Sequence, residues 1–207
     1  AGPDKSGSLI GMVTSLLLHR FNVGAYPISL VSMDNCSHNG EKLQKAVMAM
    51  ANAWLEKGFV SKEFVEYLSD TKRVAFPWSM IDKITPRPDA KVAKMLTDSG
   101  YEDAETIITG KKTYTASFVN AEQAQYLVIE DAFPAGRPAL ENAGVYFVDR
   151  ETVNKVEKMK VCTCLNPLHT ALAILGCILG MDTIAQEMTD ADLSALVKRI
   201  GYVEGLP

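Results

Sequence analysis

Cysteine is scarce: Cys36, Cys162, Cys164 and Cys177 are the only four in 207 residues. That is too few for a small secreted fold stapled by disulfides, so free thiols in a reducing cytoplasm are expected. A basic excess is also missing. With 21 Lys and Arg against 25 Asp and Glu, the net charge is −4, which argues against a nucleic-acid partner. No apolar run reaches the about 18 residues that a membrane-spanning helix needs, so no membrane partner is expected. Leu9 to Leu18 resembles the apolar part of a signal peptide, but Thr14 and Ser15 break it and no small-residue cleavage site follows. Repeats and low-complexity tracts are absent, and so is any Gly-x-Gly-x-x-Gly phosphate loop. What remains is an ordinary globular composition, 47% hydrophobic and 22% charged, with enough apolar material for a core. The chain opens on Ala1-Gly2-Pro3-Asp4 without an initiator Met, and a piece of something longer is one reading of that.

Periodicity divides the chain. Leu9, Ile10, Met12, Val13, Leu16, Leu17 and Phe21 recur at helical spacing, with Gly24 as a stop. Ile28 to Met33 is short, apolar and β-branched, and predicts a buried strand that ends in the turn-forming run Asp34-Asn35-Cys36-Ser37-His38-Asn39-Gly40. A polar loop after a strand is where α/β sheets present their sites. Residues 41–57 predict a helix, and Lys62 to Leu68 a second behind Ser61. Val74 to Phe76 predicts a strand, three prolines exclude a regular element over residues 77–88, and residues 90–98 read as a helix behind Asp89. Residues 102–124 read as loop with some strand, and residues 126–129 and 145–148 as two strands. From Asp149 onward the pattern is helical: one helix over residues 150–159, a second capped by Asn166, and a last one capped by Thr189 and closed by Gly201. The expected class is α/β followed by mainly α, divided as residues 1–123 and 124–207.

The densest chemical cluster runs from Glu157 through Lys160, Cys162, Cys164 and Asn166 to His169. A chain entering a helix there would favour a negatively charged oxygen and keep a lysine near neutrality, able to act as a base. The plain alternative makes Asn166 a cap, His169 a first-turn residue and Lys160 a solvated end. A metal reading joins Cys162, Cys164 and His169, with Cys36 or His38, but no second paired-cysteine motif supports it. Asn35 carries an amide able to hold an alkoxide, and Asn39-Gly40 reads as a turn. Asp82 is either a site carboxylate or half of an exposed ion pair.

Taken in order, three segments resemble the mannitol dehydrogenase family of polyol-specific long-chain dehydrogenases. They are Ser32-Met33-Asp34-Asn35 with Asn39-Gly40; Phe76 to Pro86; and Val128 to Asp131 with Gly136-Arg137-Pro138, continuing to Lys160 and Asn166-Pro167-Leu168-His169. The resemblance implies the later part of a Rossmann-like dinucleotide-binding domain joined to the start of a helical substrate domain. It also implies hydride transfer between NAD or NADP and a sugar acid or polyol, of the fructuronate/mannonate type or else mannitol/fructose, without a catalytic metal. By the same resemblance Lys160 is the general acid/base, and Asn35 and Asn166 hold the substrate oxygen. His169 orients the substrate, Glu157 lies on a proton path and Asp82 is on the cofactor side. Two departures stand out: Lys160 and Asn166 are separated by one residue more than is usual in the family, and Trp78 stands where Asn is common. The resemblance makes the chain a central portion of a longer dehydrogenase, without activity alone. A non-catalytic helical binding module that keeps the family fold is the alternative from another class.

Overall fold

The computed structural model describes residues 2–81, 86–121 and 127–205. They form two compact units, residues 1–81 with 127–207 and residues 82–126. In the first, α1 (Leu9–Asn22) starts at Ser8, whose hydroxyl accepts from the N–H of Gly11 at 3.1 Å. Beyond it β1 (Ile28–Ser29) lies between α1 and α2 (Asn39–Glu56), and α3 (Lys62–Ser69) leads to β2 (Val74–Ala75). The two strands pair in parallel, Ile28 opposite Val74, and the crossover between them carries α2 and α3, since parallel neighbours need such a connection. Helical spacing turns one face of each helix inward. Leu17, Val47, Ala51, Phe64, Tyr67, Leu68, Val74 and Phe76 close into one buried cluster, each large aliphatic or aromatic side chain contributing about 1.5–3 kcal/mol.

Two expectations change here. The predicted strand over residues 28–33 is shorter and half-buried, pairing only as far as Leu30, whose N–H bonds Ala75 O at 2.9 Å. Past that point the carbonyls of Ser32 and Asp34 accept from the Asn39 side chain, at 3.1 and 2.8 Å, and no strand partner is needed. Asn39-Gly40 is no turn either: both residues are buried in the first turn of α2. A third difference is β3 (Ser79–Met80), inside a stretch with no element expected; Pro77, Pro86 and Pro88 flank it without interrupting it.

In the second unit, α4 (Ala90–Asp98) is capped as expected by Asp89, which accepts from the N–H groups of Lys91 and Val92 at 2.7 and 3.2 Å. A hairpin of β4 (Ile107–Ile108) and β5 (Tyr114–Thr115) follows.

Back in the first unit, β6 (Leu127–Glu130) pairs antiparallel with β3 and parallel with β7 (Val145–Val148), so the order is β3-β6-β7. Helix α5 (Arg150–Glu157) then begins at Asp149, whose carboxylate accepts from Thr152 N–H at 2.9 Å. It runs through a π-helical segment, Lys158–Leu165, directly into α6 (Asn166–Ile178). Asn166 therefore caps nothing: it is an interior helical residue, and Pro167 is tolerated because wider π hydrogen bonding precedes it. The continuous helix Arg150–Ile178, 29 residues long, is long and apolar enough by length and composition to cross a membrane, where two separate helices are expected from the sequence. The core helix of a soluble protein passes the same test.

The remaining elements are α7 (Ile184–Glu187) and α8 (Ala191–Lys198). Asp190, not Thr189, caps α8, reaching the N–H groups of Asp192 and Leu193 at 3.0 Å each. Thr189 instead donates its hydroxyl to Gln186 O. Gly201 does not close the helix, which continues as a π-helical turn over Arg199–Glu204.

Candidate active site

The loop between β1 and α2 is built around Asn39. Its buried amide nitrogen donates to Ser32 O, Asp34 O, Ser79 O and Ser79 Oγ at 2.8–3.1 Å, and its oxygen accepts from the N–H groups of Ser79 and Gly40 at 3.0 and 2.7 Å. A buried amide with every lone pair and proton used is rigid, because freeing any one bond costs a desolvated polar group. Asp34 adds an Asx turn, accepting from Cys36 N–H at 2.8 Å. Bonds from Cys36, the thiol first and the backbone second, hold the Asp34 carboxyl below its ordinary range. Burial, followed by that carboxylate, pushes the Cys36 thiol up, so it stays protonated and is a poor metal ligand. Between Asp34 and Cys36, Asn35 is exposed, and no hydrogen bond ties its amide among the described residues.

The far end of this loop grips α5. The Ser37 hydroxyl and the His38 N–H both donate to the Glu157 carboxylate, the latter at 3.3 Å. His38 Nε2 lies 3.0 Å from Asn154 Oδ1; since the amide oxygen only accepts, Nε2 carries the proton. The His38 ring stacks on Trp78 with centroids 4.3 Å apart and planes 22° apart. Arg150 also packs on the Trp78 ring at 5.1 Å. Glu130 joins the two, accepting from Trp78 N–H at 3.0 Å and from Arg150 Nε at 3.0 and 3.1 Å. His38 sits in the left-handed region at φ 53°, a strain of about 1–3 kcal/mol for a residue with a side chain, and such strain gathers at functional sites.

The same helix carries Lys160, half-buried, one turn beyond Glu157, then Asn166, exposed, and His169, half-buried. The intervening π segment holds its bonds five residues apart, as in Asn166 N–H to Val161 O. A π turn contains about one residue more than an α turn. Across it, Lys160 and Asn166 keep roughly the angular relation that an α-helical spacing one residue shorter would give. His169 Nδ1 lies 3.1 Å from Leu165 O; a carbonyl only accepts, so Nδ1 holds a proton there. Asp82 lies outside the described residues. Cys162 and Cys164 stand within the π segment, and among the described residues no group of three His, Cys, Asp or Glu is placed to hold a metal.

Glu157 is thus not a free carboxylate, and Ser37, His38, Asn154, Trp78, Arg150 and Glu130 form a network that sequence reasoning missed. Its hydrogen-bonded pairs are 20–120 residues apart in the chain. The one available signal was His38, a polar ring in the loop after a strand, read only as a spare metal ligand.

Residues 1–142 match the Rossmann domain of mannitol dehydrogenases. The chain belongs to the mannitol dehydrogenase family. It is 53% identical to D-mannonate oxidoreductase of Thermotoga maritima over 97% of this chain and 37% of that protein. It is 31% identical to a polyol:NADP oxidoreductase of Gluconobacter oxydans over 92% of this chain and 35% of that protein. Among solved structures it matches substrate-free D-sorbitol dehydrogenase, with TM-score 0.75, 29% identity and coverage of 95% of this chain and 36% of that one. It also matches the Pseudomonas fluorescens mannitol 2-dehydrogenase complex with NAD and D-mannitol, with TM-score 0.71, 28% identity and coverage of 99% and 37%. The chain spans little more than a third of the length of these relatives. The expected class, an α/β Rossmann-type portion followed by helices, stands.

Proposed function

We propose that the protein bearing this chain is an oxidoreductase that transfers hydride between NAD, or NADP, and a hexonate/hexuronate pair such as mannonate and fructuronate. The observation that carries the proposal is the clasp between the Asn35 loop and the Lys160 helix, in which Ser37 and His38 bond Glu157 and Asn154 across 116–120 residues of sequence. The 53% identity to a mannonate oxidoreductase supports the acid substrate. The likeness to mannitol 2-dehydrogenase supports mannitol and fructose as the second reading.

In this reading Lys160 takes the hydroxyl proton during oxidation and returns it, as ammonium, during reduction. The side-chain amides of Asn35 and Asn166 donate to the developing alkoxide. His169 Nε2 accepts from a substrate hydroxyl and so orients the sugar. Glu157 holds the loop while lying on the proton path, and a cofactor-binding role for Asp82 is carried over from the family resemblance alone. The nicotinamide, when bound, supplies or receives the hydride. The fit is partial: the site lies outside the carboxyl end of β1, where such sheets bind ligands, but the chain contains no glycine-rich phosphate loop. The division at residues 123 and 124 into a nucleotide-binding part and a helical substrate part belongs to the same proposal. The turn to helices from Asp149 supports it. A cytoplasmic setting, expected from the scarcity of cysteine, belongs to the proposal as well.

The test is initial rates at 340 nm with mannonate or mannitol as substrate, in the full-length enzyme and its Lys160→Ala variant. A preference for mannonate and a loss of about 10²–10⁴-fold in kcat are expected. Native turnover by a stably folded Lys160→Ala variant would make the chain a binding module.

A further inference from the structure

We infer that His38 is a positioning residue of the reaction, and that it sets the register of the Asn35 loop against the Lys160 helix; this rests on the roles proposed for those two residues. Asn35 stands between two anchors. On its N-terminal side, Asp34 O is held by Asn39 at 2.8 Å. On its C-terminal side, Ser37 and His38 reach across to α5, where Glu157 and Asn154 receive them. Those acceptors lie three and six residues before Lys160, so the loop is seated within two turns of the amine.

His38 does more in this seat than the other residues. Its N–H, its Nε2 and its ring each make a contact, to Glu157, Asn154 and Trp78 respectively. Its Nδ1 faces Glu41 Oε2 at 3.7 Å, and Glu41 is itself paired with Lys45. The backbone is left-handed at φ 53° and ψ 45°. A glycine would adopt that conformation at less cost, and the imidazole adds three contacts that a glycine would not make. Among the described residues no hydrogen bond fixes the Asn35 amide, and the anchors stand at the two ends of the loop. An amide that must meet a developing alkoxide tolerates little error, since displacement by about 1 Å costs on the order of 10²-fold in rate.

The test uses His38→Gly, Asn154→Ala and the double variant in the full-length enzyme. Glycine fits the left-handed backbone, so His38→Gly removes the ring without adding strain. Expected is a fall in kcat of about 10–10²-fold, with dinucleotide affinity and melting temperature near native. The double variant should lose no more than the larger single loss, and His38→Gln should recover part of the rate. Native kcat in well-folded single variants would overturn the inference. Parallel loss of kcat, dinucleotide binding and melting temperature would also overturn it, by making the contact structural only. Lys160→Ala measured alongside separates the two failures: if that variant keeps native turnover, the proposed chemistry falls and not the positioning alone.

Discussion

Asn39 and Ser79, forty residues apart, hold each other through three hydrogen bonds: the Asn39 amide donates to Ser79 O and Oγ at 3.0 and 2.9 Å and accepts from Ser79 N–H at 3.0 Å. This pairing joins the start of α2 to β3 and sets where the Asn35 loop leaves the sheet.

Asn39→Ala should therefore destabilise the protein by about 3 kcal/mol, because it leaves the buried Ser79 N–H without its acceptor and the Asp34 carbonyl without its donor. Asn39→Asp should cost at least as much, since a carboxylate cannot donate to carbonyls. Urea midpoints measure both. An unchanged midpoint for Asn39→Ala would show that the network contributes nothing.

Gly40 permits the same close approach. A Cβ there would lie 2.5 Å from Phe76 O and 2.6 Å from Pro77 O, both backbone atoms. Gly40→Ala should cost about 1–3 kcal/mol through forced backbone shifts. Gly110→Ala, with open space around it, should stay near native in the same thermal melt.

Phe64 is fully buried and packs against Phe21, with ring centroids 5.6 Å apart. Phe64→Ala should lose about 3–5 kcal/mol, and a loss below about 1 kcal/mol by denaturant titration would contradict the packing.

Acid stability has a defined sign. Asp149 is held below its ordinary pKa first by Thr152 N–H, Asp131 by the Arg137 guanidinium, and Asp34 by Cys36. A carboxyl depressed in the folded state adds stability that is present above its unfolded value, near pH 4. It is lost as the pH falls through the lower folded value. Melting temperature should hold from pH 7 to about 5 and drop below about 4, and the drop should be shallower in Asp149→Asn. A drop as steep as the native one would remove Asp149 from the account.

How far the sequence could be read depends on the range of the forces involved. Helix α1, the Asp89 cap on α4 and the two strands β6 and β7 follow from spacing and local chemistry, because each is settled within about a dozen residues. The family segments were legible too, and with them the class of chemistry. Asn166 as a cap, Thr189 as a cap and Asn39-Gly40 as a turn were not legible. In each case the residue type suited the local role, but a competing partner took the position. The π-helical run carried the chain through Asn166, the Asp190 carboxylate reached the amides first, and Ser79 gave Asn39 a buried use.

The spacing of apolar residues by itself determined an α/β chain turning to helices, and the resemblance of three segments to a family offered Asn35, Lys160, Asn166 and His169 as candidate site residues. Only the tertiary structure decided that the Asn35 loop closes on α5 through Ser37, His38 and Glu157, and that one continuous helix carries both Lys160 and Asn166. The physical reason is that a hydrogen bond across 120 residues leaves no periodic trace. It forms when packing has already brought both ends out of water, where leaving either one unpaired would cost more than the bond contributes.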